Sequence, residues 1–304
     1  MILYRRTILG GLLALPVLSR PQAAEPKRVV ASFSILADMV KQVGEDRVAV
    51  RALAGPDQEL HGFEPRPSDL QAVAQADVMV INGLGLEGWA DRIAKAAGFR
   101  GTAVVASRGV KALKTGHNHG RGQSHDHGAF DPHAWQDVAN AKLYVANIRD
   151  GLAAADPANA TAHGAAADRY LARLDALDTE IRALLAPIPR ERRRIITSHD
   201  AFAYFADAYG VDMLAVAGAW RDSEPSAREL TALIAQVKRQ NIRALFLENA
   251  GSGTALRTLA SEVGATIGGR LYADALSGPD GPANSYIAMM RHNAGIMAAA
   301  LKEQ

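Results

Sequence analysis

The chain has no cysteine among its 304 residues. Disulfides are excluded, so the fold must be held by its hydrophobic cores. An exported lipoprotein needs a cysteine at its cleavage point, so the expected product carries no lipid anchor. The chain also lacks a surplus of either charge. Arg5, Arg6 and Arg20 fall in an expected leader, and without these three the 34 basic residues become 31, against 32 acidic. A balance this close to neutral gives no case for nucleic acid as a partner. Beyond residue 24 no apolar run approaches the roughly 18 residues that a spanning helix requires.

The N-terminus shows a positive Arg5-Arg6 pair followed by an apolar stretch from Ile8 to Leu18. That stretch is too short to span a bilayer and suits a signal peptide cleaved after Ala23 or Ala24. Arg5-Arg6-Thr7-Ile8-Leu9 also fits a twin-arginine export signal, beside the ordinary secretory reading. Residues 1–24 are therefore read as a leader to the periplasm, which leaves about 280 residues, enough for two domains.

From Lys27 onward, short apolar runs alternate with helical patterns. Val29–Phe33, Val48–Leu53, Val78–Ile81 and Ala103–Ala106 read as strands, with helices over Ile35–Val43, Pro67–Ala76 and Leu86–Ala97. Such runs separated by helices indicate a parallel sheet covered on both faces. A helix follows from Ala134 to Ala154. Asp156-Pro157 then suits the cap and first position of another helix reaching about Leu185, before Pro187 and Pro189. Its roughly 29 residues would span about 43 Å, as a bridge between lobes or as one arm of a helical hairpin. The alternation then restarts with strands at Ile195–Ser198, Met213–Ala217, Ala244–Leu247 and Thr266–Leu271. Helices are expected at Ala201–Tyr209, Ser226–Gln240, Thr254–Val263 and Ala283–Leu301. The expected fold is two α/β lobes with central parallel sheets joined by a single long rigid helix. Residues 25–155 form the first lobe, 156–187 the linking helix and 188–304 the second lobe.

Three imidazoles and one carboxylate fall just past expected strand ends, two in each half of the chain. His61 follows the second strand, His133 the fourth, His199 the fifth and Asp274 the last. Loops at the carboxyl ends of parallel strands are where α/β sheets hold ligands. Three His and one Asp would satisfy a tetrahedral Zn²⁺. A loop over residues 116–128 adds His117, His119, His125 and His127, a compositional metal signal. Gly83-Leu84-Gly85-Leu86-Glu87-Gly88 matches a dinucleotide fingerprint in form. The next strand ends at Ser107-Arg108, without the acidic residue such a site uses, so a tight turn is preferred. His163 and His292 fall within expected helices and read as packing or surface residues. Ser223-Glu224-Pro225-Ser226 reads as a loop and helix cap.

These segments together resemble the zinc/manganese solute-binding proteins of bacterial ABC importers. The likeness rests on His61-Gly62-Phe63-Glu64-Pro65-Arg66-Pro67-Ser68-Asp69, Asn82-Gly83-Leu84-Gly85-Leu86-Glu87, Asp131-Pro132-His133-Ala134-Trp135, Ser198-His199-Asp200-Ala201-Phe202 and Tyr272-Ala273-Asp274-Ala275-Leu276. It covers essentially the whole chain after the leader. Gly62 and Phe63 vary the first motif, and the histidine-rich loop is shorter than in many zinc members. The resemblance implies an ion held between two lobes by His61, His133, His199 and Asp274, with the loop histidines as weak accessory ligands. Members that prefer manganese tend to carry Glu at the third position. His199 stands there, and imidazole suits Zn²⁺ where harder oxygen suits Mn²⁺, so the implied ion is Zn²⁺. The implied partners are a membrane ABC permease with its cytoplasmic ATPase. A periplasmic metallochaperone is left open, and the protein is expected to be a monomer. Three rivals remain at this point: a zinc hydrolase, with Glu64 or Asp200 as base; a manganese or iron carrier; and an adhesin on the same scaffold.

Overall fold

The computed structural model describes residues 25–115, 130–217, 226–240, 242–249 and 253–303. The expected leader, the four loop histidines and the Ser223-Glu224-Pro225 segment lie outside the described residues.

The first half builds β1 (Lys27–Phe33), α1 (Ser34–Gly44), β2 (Val48–Ala54), α2 (Pro67–Ala74), β3 (Val78–Ile81), α3 (Ala90–Ala97) and β4 (Thr102–Val105). The second builds β5 (Arg194–His199), α6 (Ala203–Tyr209), β6 (Asp212–Ala217), α7 (Ala227–Gln240), β7 (Ala244–Glu248), α8 (Thr254–Val263), β8 (Ile267–Leu271) and α9 (Tyr286–Lys302). Between them run α4 (Val138–Ala155) and α5 (Ala160–Leu185). Both sheets are parallel and share one order, β2-β1-β3-β4 and β6-β5-β7-β8. The order reverses direction beside β1 in one sheet and beside β5 in the other. Crevices at the carboxyl ends of strands near such reversals are where doubly wound sheets receive ligands.

Alternation along the strands explains the layers. Val29, Ala31 and Phe33 of β1 face the main core, while Val30 turns to a separate cluster with Leu53, Val73, Met79, Trp89 and Ile93. In the second sheet Ile195 faces the main core and Ile196 an outer cluster with Val237, Leu245, Leu256 and Leu259. Side chains alternate faces along a strand, so each sheet is apolar on both sides and needs helices on both, as parallel sheets do.

α5 settles the choice between bridge and hairpin, and it does both jobs. Its 26 residues span about 39 Å. Its first half packs back on α4 and α1: buried His163 meets the Val43 carbonyl, Arg169 pairs with Glu45, and Arg173 donates to Gln42. Its second half belongs to the other lobe, where Tyr209 donates to Asp178 and Arg291 grips Glu180 with two nitrogens.

Several helices begin later than the sequence pattern suggests, and for α3, α4 and α5 the local reason is visible. Before α3 the chain turns through positive φ at Gly83, Leu84 and Gly85. The Glu87 carboxylate fills that turn, accepting the Asn82 and Gly83 N–H groups and the Ser32 hydroxyl. This is the tight turn expected there, and its carboxylate occupies the site an anionic ligand would need. Before α4, Ala134–Gln136 forms a single 3₁₀ turn, and Asp137 caps the helix by accepting the Ala139 N–H at 2.8 Å. After Asp156, Pro157–Asn159 is again a 3₁₀ turn before α5 begins. Among the described residues no helix is long and apolar enough to cross a membrane.

Candidate metal centre

His199 is the last residue of β5, while His61, His133 and Asp274 lie in the connections after β2, β4 and β8. All four thus stand at the carboxyl ends of strands, two from each sheet. The structure brings them together: one donor atom from each lies within 4.8 Å of every other. His133 Nε2 is 3.2 Å from His61 Nε2 and 3.3 Å from Asp274 Oδ1. Asp274 Oδ2 is 3.4 Å from His199 Nε2 and 3.5 Å from His61 Nε2. Donors about 2.0–2.1 Å from a tetrahedral ion stand roughly 3.3–3.4 Å apart along the edges. These four separations, which draw on both Asp274 oxygens, are close to that edge length, so the cluster has the size to close around one small divalent cation. The side chains are at most 5% exposed, so an ion here exchanges its water for protein ligands.

Two of the rings are held in the same way. Asp131 accepts both the backbone N–H of His133, at 2.9 Å, and its Nδ1–H, at 2.7 Å. Glu248, the last residue of β7, accepts the backbone N–H of His199 at 3.0 Å and pairs with its Nδ1. An ionised carboxylate can only accept, so Nδ1 carries the proton and Nε2 is left to face the cluster. Neither carboxylate was assigned this role from the sequence. Asp131 stands in the Asp-Pro-His segment, two residues from its partner. Glu248 is 49 residues from His199, and no spacing connects them. Glu64, one of the two carboxylates singled out as candidate bases, is exposed.

The second lobe also grips the Asp131–Gln136 segment. Trp135 Nε1 and Gln136 Nε2 both donate to the Ala273 carbonyl at 2.9 Å, and Tyr204 donates to the Asp131 carbonyl. Ala273 precedes Asp274, so the same contact that positions His133 positions the carboxylate opposite it. His163 and His292 lie elsewhere, the first buried against Val43 and the second bonded to the Arg270 carbonyl.

Electrostatics follow from burying one carboxylate among three imidazoles. Burial pushes the His133 imidazole down, but Asp131 and Asp274 outweigh it and raise it to about 10. His199 is raised too, with burial opposing and Glu248 and Asp274 prevailing. His61 is lowered, chiefly by burial. Asp274 is held well below the usual carboxylate range: burial works against this, and the three histidines override it. Without metal, a proton on His133 supplies positive charge beside Asp131 and Asp274, and the upward shift of His199 runs in the same direction. A divalent cation replaces that charge.

Paired parallel-sheet lobes, a helix running from one to the other and this His₃Asp cluster between them define a two-lobed metal-binding protein. A sequence profile described as zinc-uptake complex component A periplasmic (ZnuA) matches residues 29–300, and the chain belongs to that family of substrate-binding proteins of metal ABC transporters. It is 34% identical over 279 residues to the manganese-binding lipoprotein MntA of Halalkalibacterium halodurans, covering 92% of this chain and 90% of that one. It is 30% identical over 267 residues to the iron-binding protein YfeA of Yersinia pestis, covering 88% and 84%. Its fold is similar to the periplasmic zinc binding protein TroA of Treponema pallidum, with a TM-score of 0.82, 27% identity and coverage of 91% and 99%.

The two carboxylate supports make a first testable claim. Glu248→Gln keeps the size of the side chain but removes its charge and lets an amide compete for the His199 ring. Metal affinity should fall about 10- to 100-fold, as it does when outer-shell carboxylates are lost. Competition against a fluorescent chelator measures it, and an unchanged affinity would refute the assigned role.

Proposed function

We propose that this protein captures Zn²⁺ through His61, His133, His199 and Asp274 and delivers it to a membrane ABC permease driven by its ATPase. The observation that carries the metal assignment is the donor set, three imidazoles to one carboxylate. Imidazole favours zinc, whereas carboxylate-rich sets favour manganese. We read the site as one for binding, since four protein donors complete a tetrahedral shell where zinc hydrolases keep a position for water. The two lobes are taken as residues 25–155 and 188–304, with 156–187 linking them, and each supplies two ligands.

Manganese or iron is the second reading, supported by the names of MntA and YfeA. The two oxygens of Asp274 both face the imidazoles, an arrangement that could give a larger ion a fifth donor. One experiment separates these readings. Purified protein, stripped and then offered equimolar Zn²⁺, Mn²⁺ and Fe²⁺, should retain one zinc per chain after gel filtration. Protein lacking residues 116–128 should do the same, and His199→Ala should retain none. Retention of manganese or iron in preference to zinc would overturn the zinc reading; full occupancy of His199→Ala would overturn the ligand set.

A further inference from the structure

The loop that carries His61 is tied to the Asp274 loop by a residue that is not itself among the four donors. His133 and His199 are each fixed by a carboxylate of their own lobe, through backbone and ring together. The His61 loop has Glu59 of its own lobe on the His61 N–H and is also fastened across the cleft. Four residues before His61, the Asp57 N–H donates to the Leu276 carbonyl at 2.9 Å. Its carboxylate accepts the Gly278 N–H at 3.2 Å on one oxygen and the Asn249 side-chain amide at 3.1 Å on the other. Asn249 also donates to the Ala275 carbonyl. Every one of these contacts lands on, or beside, the 274–278 segment that carries Asp274. Between Asp57 and His61 the loop is drawn tight, because Glu59 accepts the Leu60 and His61 N–H groups and Leu60 is buried in the main core. Asp57 itself has φ 53°, a left-handed conformation that Asp tolerates better than most side chains.

We propose that Asp57 is a positioning residue, an interlobe latch that sets the His61 loop against the Asp274 loop and thereby governs how fast the ion leaves. The latch rests on the metal-binding reading above and touches no ligand itself. Asp57 is exposed at the rim of the cleft, where water can replace its protein partners one at a time. Both side-chain bonds of Asp57 are exposed, so it suits a reversible closure better than the enclosed supports of His133 and His199 would. Once it opens, the His61 loop loses its direct tie to the Asp274 loop, while the carboxylate supports of His133 and His199 stay in place.

The test is stopped-flow transfer of zinc from the loaded protein to excess chelator. Asp57→Ala should release zinc at least about tenfold faster than wild type, with one ion still bound per chain before mixing, because tuning of an existing contact falls mostly on the off-rate. Asp57→Asn keeps one acceptor oxygen and should fall between the two. Asn249→Ala, which removes a single latch bond, should accelerate release several-fold and serves if Asp57→Ala fails to fold by circular dichroism. A general loss of stability would lower the melting temperature of the stripped protein without this graded order of release rates. Wild-type release rates in a folded Asp57→Ala or Asn249→Ala protein would overturn the latch while leaving the metal reading intact. Failure of the wild type to bind zinc would overturn both.

Discussion

Asp274→Asn should abolish tight metal binding while leaving a folded protein. Asp274 is fully buried, and its two oxygens stand 3.3–3.5 Å from the three Nε2 atoms. Asparagine has nearly the same shape but lacks the charge, and its NH₂ would face an imidazole nitrogen. Loss of an outer-shell carboxylate already costs about 10- to 100-fold in affinity, so removal of a direct ligand should cost more than about 100-fold. By linkage, that removes at least about 2.7 kcal/mol of the stabilisation that saturating zinc confers. The stripped variant should melt much nearer wild type. Breaking a buried ion pair is severe when a charge is left without its partner, and His133 and His199 avoid this by shedding protons. Thermal melts with and without zinc, paired with metal analysis, check both halves. Wild-type zinc occupancy in this variant would remove Asp274 from the ligand set.

The second large effect is a divergence with pH. The His133 imidazole is raised from 6.5 to about 10. A raised folded-state pKa stabilises the stripped protein fully below the unfolded value, near 6.5, and that contribution is lost as pH climbs through about 10. Metal binding requires the neutral ring, so affinity runs the other way. Each displaced proton should raise it by up to about tenfold per pH unit over the same window. Between pH 6.5 and 9.5 the stripped protein should therefore lose stability while the metal-induced increment grows. His199, also raised, should add to the effect. Calorimetry at pH 7 in buffers of differing ionisation enthalpy should record about one to two protons released per ion. No proton release, or an affinity flat from pH 6.5 to 9.5, would show that the imidazoles are neutral before the ion arrives. The ordinary histidine value places the loss of affinity below about pH 6.5; the Asp131 and Asp274 carboxylates, outweighing burial, carry it upward toward about 10.

Metal capture and the proposed latch at Asp57 place different demands on the same side chains. His133 and His199 are preset by bonds within their own lobes, so they present two nitrogens to an arriving ion with little reordering. His61 and Asp274 complete the shell from loops fastened to each other. An ion must be held tightly and still be handed on. The rim contacts of Asp57 offer a route for release that does not disturb the enclosed pairs.

The amino-acid sequence by itself determined the periodic elements and the parallel two-sheet architecture, and it pointed to the four side chains that the fold brings together. Local patterning suffices for these: apolar runs mark buried strands, and polar residues just past them fall where parallel sheets hold ligands. The helix starts near Ala90, Val138 and Ala160 were displaced because turn geometry and capping by Glu87 and Asp137 are settled by contacts the apolar period does not encode. Tertiary structure alone decided how the donors are used. The support of His199 by Glu248 joins residues 49 apart, and the hold of Asp57 on Gly278 joins residues 221 apart. It decided that α5 serves both lobes, since one end packs on α1 and α4 and the other on α6 and α9. It also set the protonation of His133, because a pKa follows the charges that surround a ring once it is buried. Those surroundings exist only after the two halves of the chain have closed on each other.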